Sequence, residues 1–517
     1  MRYEEDIMDR VYKREVETGC EYTLPDYMGD IKRVLTSSAA VVPTGKFPSD
    51  GQIELSGLVN YEITYADSEG KLTALTASSD LDVREAVGEG FVDASVRTTV
   101  KGVSVRVAGP RKLSVKSVVS VFITVAEDRD LSVIGDAFSD SEKDCLEIKT
   151  GTVSCMSSHF FTSGEREYAE EAERLVGVTS DEVEVIATSG RVNVLEAIPE
   201  SGGVVVKGEM VITSIVRTPE QPPFAIRKVI PFEERITVEG AEADEAVMAE
   251  AYLTSQTTGL SEDGDATVVS VNAICEVSLA FTKNREVEIT EDAFLTSRDT
   301  EQKYEELRYT ELLGTTSGEF EVDYSFSREE CGMADIRDIL TLDATATVTE
   351  RKSCRDGVEI SGEIHLCGVA CEVSAEGKAS YLPVKAAFPY TIHVNSSCHF
   401  DEECELECRI SPTAVRYQLD SERLSATVTL HALCRACCER RATRLSECRV
   451  AGDGVYSSSP SEIVVYYPDP EETLFEVAKM HRASVKKIAE INGISMTADT
   501  ASRQTLASLG YKHLTLL

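Results

Sequence analysis

The feature that most restricts this chain is that it repeats itself. LPDYMGDIKRVL (24–35) resembles GMADIRDIL (332–340) through a shared Asp-Ile and a closing apolar-Leu pair. Leu35 is followed 22 residues later by Gly57 in IELSG (53–57), and Leu340 is followed 22 residues later by Gly362 in VEISG (358–362). Two short matches at one common offset of 305 residues define a recurring unit. SEGK (68–71) returns as AEGK (375–378), slipped by two residues. A degenerate middle copy lies at VVVKG (204–208) and MVITSIV (210–216). Its Gly208 stands 151 residues after Gly57 and 154 before Gly362. SGRVNVLEA (189–197) occupies the place of the Asp-Ile segment there. A plan used three times means a modular fold, not one large core.

Each copy reads as strands. In LSVKSVVSVFITV, Leu113, Val115, Val119, Val121, Ile123 and Val125 fall on one side of a pleat. Val269, Val271, Ala273, Val277, Leu279 and Phe281 repeat the pattern, as do Leu424, Ala426, Val428 and Leu430. Period-two alternation, rich in β-branched residues and broken by Gly, Asp or Pro, predicts half-buried strands. Many such strands in about 150 residues predict antiparallel sandwich- or barrel-like repeats. The charged segments near 165–177 and 299–313 fit either short helices or long edge strands.

The tail differs. GDGVYSSSPS (452–461) reads as a linker. Residues 464–517 carry six Lys/Arg and six Asp/Glu, so the net charge of −38 sits on the repeats. VVYY (464–467) is a strand candidate, followed by the turn PDPEE (468–472). Leu474, Val477, Ala478 and His481 share one helical face, with Thr473 and Glu476 spaced as a capping box. Ser484 opens a second helix whose inner face is Val485, Ile488, Ala489 and Asn492, and Gly493 ends it. KHLTLL (512–517) closes the unit as a strand. The expected fold is mainly β, with tandem antiparallel β repeats and a small C-terminal α+β (βααβ) domain. The expected modules are 1–150, 151–300, 301–455 and 462–517.

The stretch from Tyr466 to Ile494, with TLFEVA and its Ile-Asn-Gly ending, resembles a LysM domain. LPDYMGDIKRVL, IELSG and GPRKLSVKSVVSV (109–121) resemble the SPOCS domain of clostridial spore-forming bacteria. SPOCS copies followed by one LysM imply a spore-coat assembly protein. Its LysM module would recognise the ATPase basement layer of the coat rather than peptidoglycan. The place implied is the mother-cell cytoplasm at the forespore surface. By analogy with LysM grooves, partner- or glycan-binding residues are expected at Asp469, Pro470, Glu471, Glu472 and Thr473, and at Gly493, Ile494 and Met496. Glu471-Glu472 stand where the family has Gly-Asp, the loop after Ile494 is long, and the final Pro is missing. Two added carboxylates would crowd a neutral sugar chain and suit a basic protein patch, with Ile494 and Met496 as its apolar centre. Peptidoglycan, gripped through N-acetylglucosamine chains, is the alternative ligand.

Composition narrows the rest. With 90 Asp/Glu against 52 Lys/Arg, the surface repels phosphate backbones and anionic bilayers. Neither nucleic-acid binding nor membrane insertion is expected. The first twenty residues carry no apolar signal core, and no run approaches the roughly 20 apolar residues of a membrane span. Trp is absent, which removes the usual aromatic sugar platform. No GxSxG, Walker, HExxH or dinucleotide motif occurs, so neither catalysis nor a cofactor is expected. Asp26 and Asp30, with Asp335 and Asp338, could be acid–base pairs or turn caps. Of 15 cysteines, 11 lie between Cys331 and Cys448. Cys434, Cys437 and Cys438, with His431 and with Cys404 and Cys408, superficially resemble a zinc cluster. The alternatives are core packing, including Cys367 and Cys371, or late oxidative cross-linking.

Overall fold

A computed structural model describes residues 6–49, 51–87, 91–129, 138–331, 338–373, 379–396, 404–420, 422–452, 463–495 and 504–516. AEGK (375–378), Asp335, Met496 and nearly all of the 452–461 stretch lie outside the described residues.

The fold is mainly β, built from small antiparallel sheets. The first module contains β1 (Asp6–Thr23), β2 (Ile31–Ser49), β3 (Gln52–Asp67), β4 (Leu72–Ala86), β5 (Phe91–Gly109) and β6 (Lys112–Arg129). Its sheets run β1-β6-β5 and β2-β3-β4, so the first strand pairs with the last and the middle three form a meander. A helical turn, α1 (Asp140–Lys143), leads to the second module. There β7 (Leu146–Thr162) and β8 (Arg166–Val176) share the first-strand place. They precede β9 (Glu184–Glu200), β10 (Gly203–Arg217), β11 (Phe224–Thr237), β12 (Ala246–Asp263) and β13 (Ala266–Leu295). The third has β14 (Asp299–Ser327), β15 (Asp338–Cys354), β16 (Gly357–Val373), β17 (Ala379–Asn395), β18 (Glu405–Leu419) and β19 (Arg423–Ala451). The first-sixth-fifth and second-third-fourth order recurs in all three. So does one closing bond, from the residue after the first strand to the residue before the sixth. Leu24 N donates to Arg111 O at 2.9 Å, Gly177 N to Asp265 O at 2.8 Å, and Arg328 N to Glu422 O at 3.0 Å.

The alternating residues named above form the facing layers, and none exceeds 2 % exposure. The two charged segments are strands, β8 and the first half of β14, each paired on one side only. With one neighbour and one solvated edge, they need no apolar period.

The recurrent glycine has a physical cause. Gly57, Gly208 and Gly362 each sit in the central meander strand, directly beside a bulge in the preceding strand. The bulge pushes a backbone oxygen toward the glycine. A Cβ would run into Asn193 O at Gly208 and into Thr347 O at Gly362, and would lie 3.1 Å from Val42 O at Gly57. The repeat's opening motif is explained likewise. Arg111 in GPRK donates to Pro25 O at 2.6 Å, Met28 O at 3.1 Å and the Asp30 carboxylate at 3.0 Å, so the two quoted motifs are halves of one contact.

Three joints between the modules stand out among the described residues. Leu35 and Leu72, Ile215, and Val369 and Tyr381 make an apolar joint from all three meanders. The far halves of β7–β13 and β14–β19 are two-stranded ribbons that stack through Val153, Val287 and Ile289 against Leu307. A lone ribbon buries too little to persist, so pairing them is what stabilises both. The third joint is ionic and draws on the fifth strand of every module: Arg97 of β5, Glu250 and Tyr252 of β12, and Glu407 and Arg409 of β18. Arg409 lies 2.8 Å from Glu250 and 3.3 Å from Glu407, and Arg97 lies 3.4 Å from Glu407. Arg435 of β19 adds a 2.7 Å bond to Glu407 and a 3.2 Å bond to Thr282. The Arg97 guanidinium covers the Phe122 ring at 4.1 Å.

Burial alone would raise the Glu407 pKa, but the guanidiniums of Arg409, Arg435 and Arg97 hold it down to about 2. Its stabilising contribution is therefore complete above the ordinary carboxylate value of about 4.3 and disappears as pH falls toward 2, a loss of roughly 3 kcal/mol. Denaturant titrations between pH 5 and 2.5 should show this fall in the native chain. Glu407→Gln should be less stable at pH 7 and correspondingly flatter over that range.

Candidate functional site

The tail folds as β20 (Val464–Tyr466), α2 (Leu474–His481), α3 (Val485–Asn492) and β21 (Leu514–Leu516), with β20 and β21 antiparallel. Local chemistry sets each boundary. Thr473 Oγ1 accepts from Glu476 N at 3.3 Å while the Glu476 carboxylate accepts from Thr473 N at 2.8 Å, which satisfies two orphan donors of α2. Arg482 (φ 51°) and Gly493 (φ 67°) end the helices in left-handed conformation. Ala483 N then bonds Ala478 O, and Ile494 N bonds Ala489 O, both at 2.9 Å. Asn492 works as a surrogate strand. Its Nδ2 donates to Thr515 O at 2.8 Å and its Oδ1 accepts from Thr515 N at 2.7 Å, tying α3 to β21.

The turn before α2 is held by Glu472, whose carboxylate accepts from Asp469 N at 2.8 Å and from Tyr466 Oη at 3.0 Å. Burial and this carboxylate raise the Tyr466 pKa. Leu506 N donates to Glu472 O at 2.9 Å, and Tyr511 Oη donates to Gly493 O at 3.4 Å. The 504–511 stretch thereby links the turn before α2 to the loop after α3.

Asp469, Pro470, Glu471 and Gly493 are exposed on these two loops, as a groove rim requires. The others are placed differently. Ile494 is 7 % exposed and completes the tail core, because the helix-ending turn directs it inward, so it is not the apolar centre of an outer face. Thr473 is buried and occupied by its cap, and Glu472 is half-buried and bound within the turn. Met496 lies outside the described residues. His481, expected on the inner stripe, is exposed and packs edge-on against Tyr466, ring centroids 4.9 Å apart.

Phe475 takes the buried place instead. It is 2 % exposed because Phe294 of β13 meets it edge-to-face at 5.3 Å. Lys479 bonds Asp292 at 2.5 Å, and Arg482 pairs with Asp299. The tail is thus seated on the second and third modules. No helical stripe announces this, since Phe475 faces a partner from another module.

The remaining polar candidates are engaged in the fold. Asp30, and Asp26 at 3.9 Å, face Arg111. Asp338 accepts from Ile339 N at 2.8 Å. Cys408 and Cys434 lie in the third module's core, whereas Cys437 points to the second module, its Sγ 3.6 Å from Met156 Sδ. His431 is half-buried, and burial lowers its pKa. Among the described residues, no group of three or more His, Cys, Asp or Glu could hold a metal ion.

No protein-family model, no curated protein and no solved structure matches this chain.

Because the Glu472 carboxylate accepts from both Asp469 N and Tyr466 Oη while Glu471 binds neither, exchanging each for Gln should separate them. Glu472→Gln should speed amide hydrogen exchange at 469–473, consistent with a loss of about 1–2 kcal/mol. Glu471→Gln should leave exchange there unchanged.

Proposed function

We propose that this chain is a non-catalytic scaffold of bacterial spore-coat assembly, acting on the mother-cell side at the forespore surface. Its LysM-like tail docks on a coat morphogenetic protein, an ATPase of the basement layer. The observation that carries this reading is the exposed acidic turn at Asp469–Glu471, set on a βααβ unit that is itself seated on an acidic three-module body. A neutral sugar chain gains nothing from that carboxylate, whereas a basic protein patch does. The SPOCS-like motifs support the same reading, since LPDYMGD and GPRK meet through Arg111 as one structural device. Of the candidate acid–base aspartates, Asp26 and Asp30 face Arg111 and Asp338 accepts from Ile339 N, which agrees with a scaffold.

The test uses the immobilised full chain against sporulating-cell extract and, separately, against purified peptidoglycan. The expected result is capture of one predominant protein, identified by mass spectrometry as a coat ATPase. Glu471→Lys should weaken that capture while leaving the circular dichroism unchanged. Micromolar sedimentation with peptidoglycan, or full capture by the Glu471→Lys chain, would overturn the proposal.

A further inference from the structure

The third module contains two thiols that its strand register sets face to face. Cys408 of the edge strand β18 lies directly opposite Cys434 of β19. Residues directly opposed in antiparallel strands have Cα atoms about 4.5–5.5 Å apart, within the span of about 4.4–6.8 Å that a disulfide bridges. Both side chains enter the same apolar core, at 5 % and 1 % exposure. Neither is needed for the ionic joint or the tail site.

A recess lies two residues from Cys408 along the chain. Cys404 lies immediately before β18, and Leu406 and Cys408 follow it at the two-residue spacing that lines one face of the strand. The first two line this recess of about 550 Å³, together with Arg351, Lys352 and Ser353. β18 is an edge strand, with β19 on one side only. Its separation from β19 is the local opening that would admit a small solute to Cys408.

We propose that Cys408 and Cys434 form a redox site, which hydrogen peroxide closes into a disulfide across β18 and β19. The Cys408 thiolate attacks one peroxide oxygen and breaks the O–O bond, giving a sulfenic acid and hydroxide. The Cys434 sulfur then displaces the sulfenic oxygen as water, forming the S–S bond. Over both steps two thiols lose two electrons and two protons, and one peroxide becomes two waters. The roles follow from the environment. The hydrogen bond between the two thiols holds Cys408 below the ordinary thiol range and pushes Cys434 above it. The Arg351 charge favours the thiolate at both. Cys408 is the attacking group and Cys434 the resolving one. The link would tie an edge strand to its neighbour and so stiffen the module bearing most of the cysteines.

The test treats the purified full chain with hydrogen peroxide and alkylates the remaining thiols under denaturing conditions. It is then digested without reduction for mass spectrometry. The expected product is a Cys408–Cys434 peptide pair two hydrogens lighter than its thiol form, found in the monomer band of a non-reducing gel. The oxidised chain should also melt several degrees higher, and dithiothreitol should reverse this. Cys434→Ala should strand the sulfenic acid on Cys408, where dimedone labels it; Cys408→Ala should lose both the label and the link. If Cys434→Ala does not fold, the native chain's linked peptide and melting shift still decide the matter. Recovery of both residues as alkylated thiols from a chain whose other cysteines have oxidised would overturn the proposal. So would linkage of Cys408 to Cys404 or Cys438, or linkage between chains.

Discussion

The structure depends on a cluster of three guanidiniums and two carboxylates held where the fifth strands of the modules converge. Arg97, Glu250, Glu407, Arg409 and Arg435 come from positions up to 338 residues apart, and no two of the three modules can leave without stranding a charge. Desolvating such groups costs several kcal/mol per ion, so the cluster adds little to stability over an apolar joint. It adds direction. An apolar surface tolerates sliding, whereas Glu407 bridging Arg97, Arg409 and Arg435 accepts one relative placement. Phe122 lies under the Arg97 guanidinium, and Tyr252 Oη donates to the Glu250 carboxylate at 2.7 Å. The apolar joint at Leu35, Ile215 and Tyr381 supplies burial, and the ionic joint supplies orientation.

The arrangement of the modules also fixes where the tail rests. The stacked ribbons of β7–β13 and β14–β19 bring Asp292, Phe294 and Asp299 together, and these receive Lys479, Phe475 and Arg482. One aromatic pair, two ion pairs and a 3.3 Å bond from Lys479 to Gln302 make a modest contact among the described residues. It leaves Asp469, Pro470, Glu471 and Gly493 facing outward, so the rim proposed for partner docking is presented from the body rather than buried against it.

What the sequence revealed and what it concealed divide by range. Strand alternation was plain because period two is a local property of a half-buried pleat. The capping box at Thr473 and Glu476 and the helix stop at Gly493 were equally local. The glycine spacing pointed to the repeat, although its cause, a carbonyl displaced by a bulge on the neighbouring strand, emerges only from the register. The joints between modules were not legible. Arg97 and Glu407 sit on partly solvated faces of their own strands, and nothing in either segment names the other. Phe475 was missed for the same reason: a helical wheel assigns one buried face, while α2 has a second against Phe294. The inverse error placed Ile494 and His481. The loop position of Ile494 suggests a surface residue, yet it lies in the core because the left-handed turn redirects the chain. The spacing of His481 suggests a core residue, yet it is exposed at the last position of α2.

Charges from different modules are energetically coupled across the ionic joint. A double-mutant cycle of Arg97→Met and Glu407→Gln in the full chain, read by denaturant unfolding at neutral pH and low salt, measures this directly. The expected coupling is about 1.5 kcal/mol or more, since the two charges lie 3.4 Å apart in a partly desolvated site. Additivity within about 0.3 kcal/mol would contradict it, leaving the modules joined by apolar contact alone.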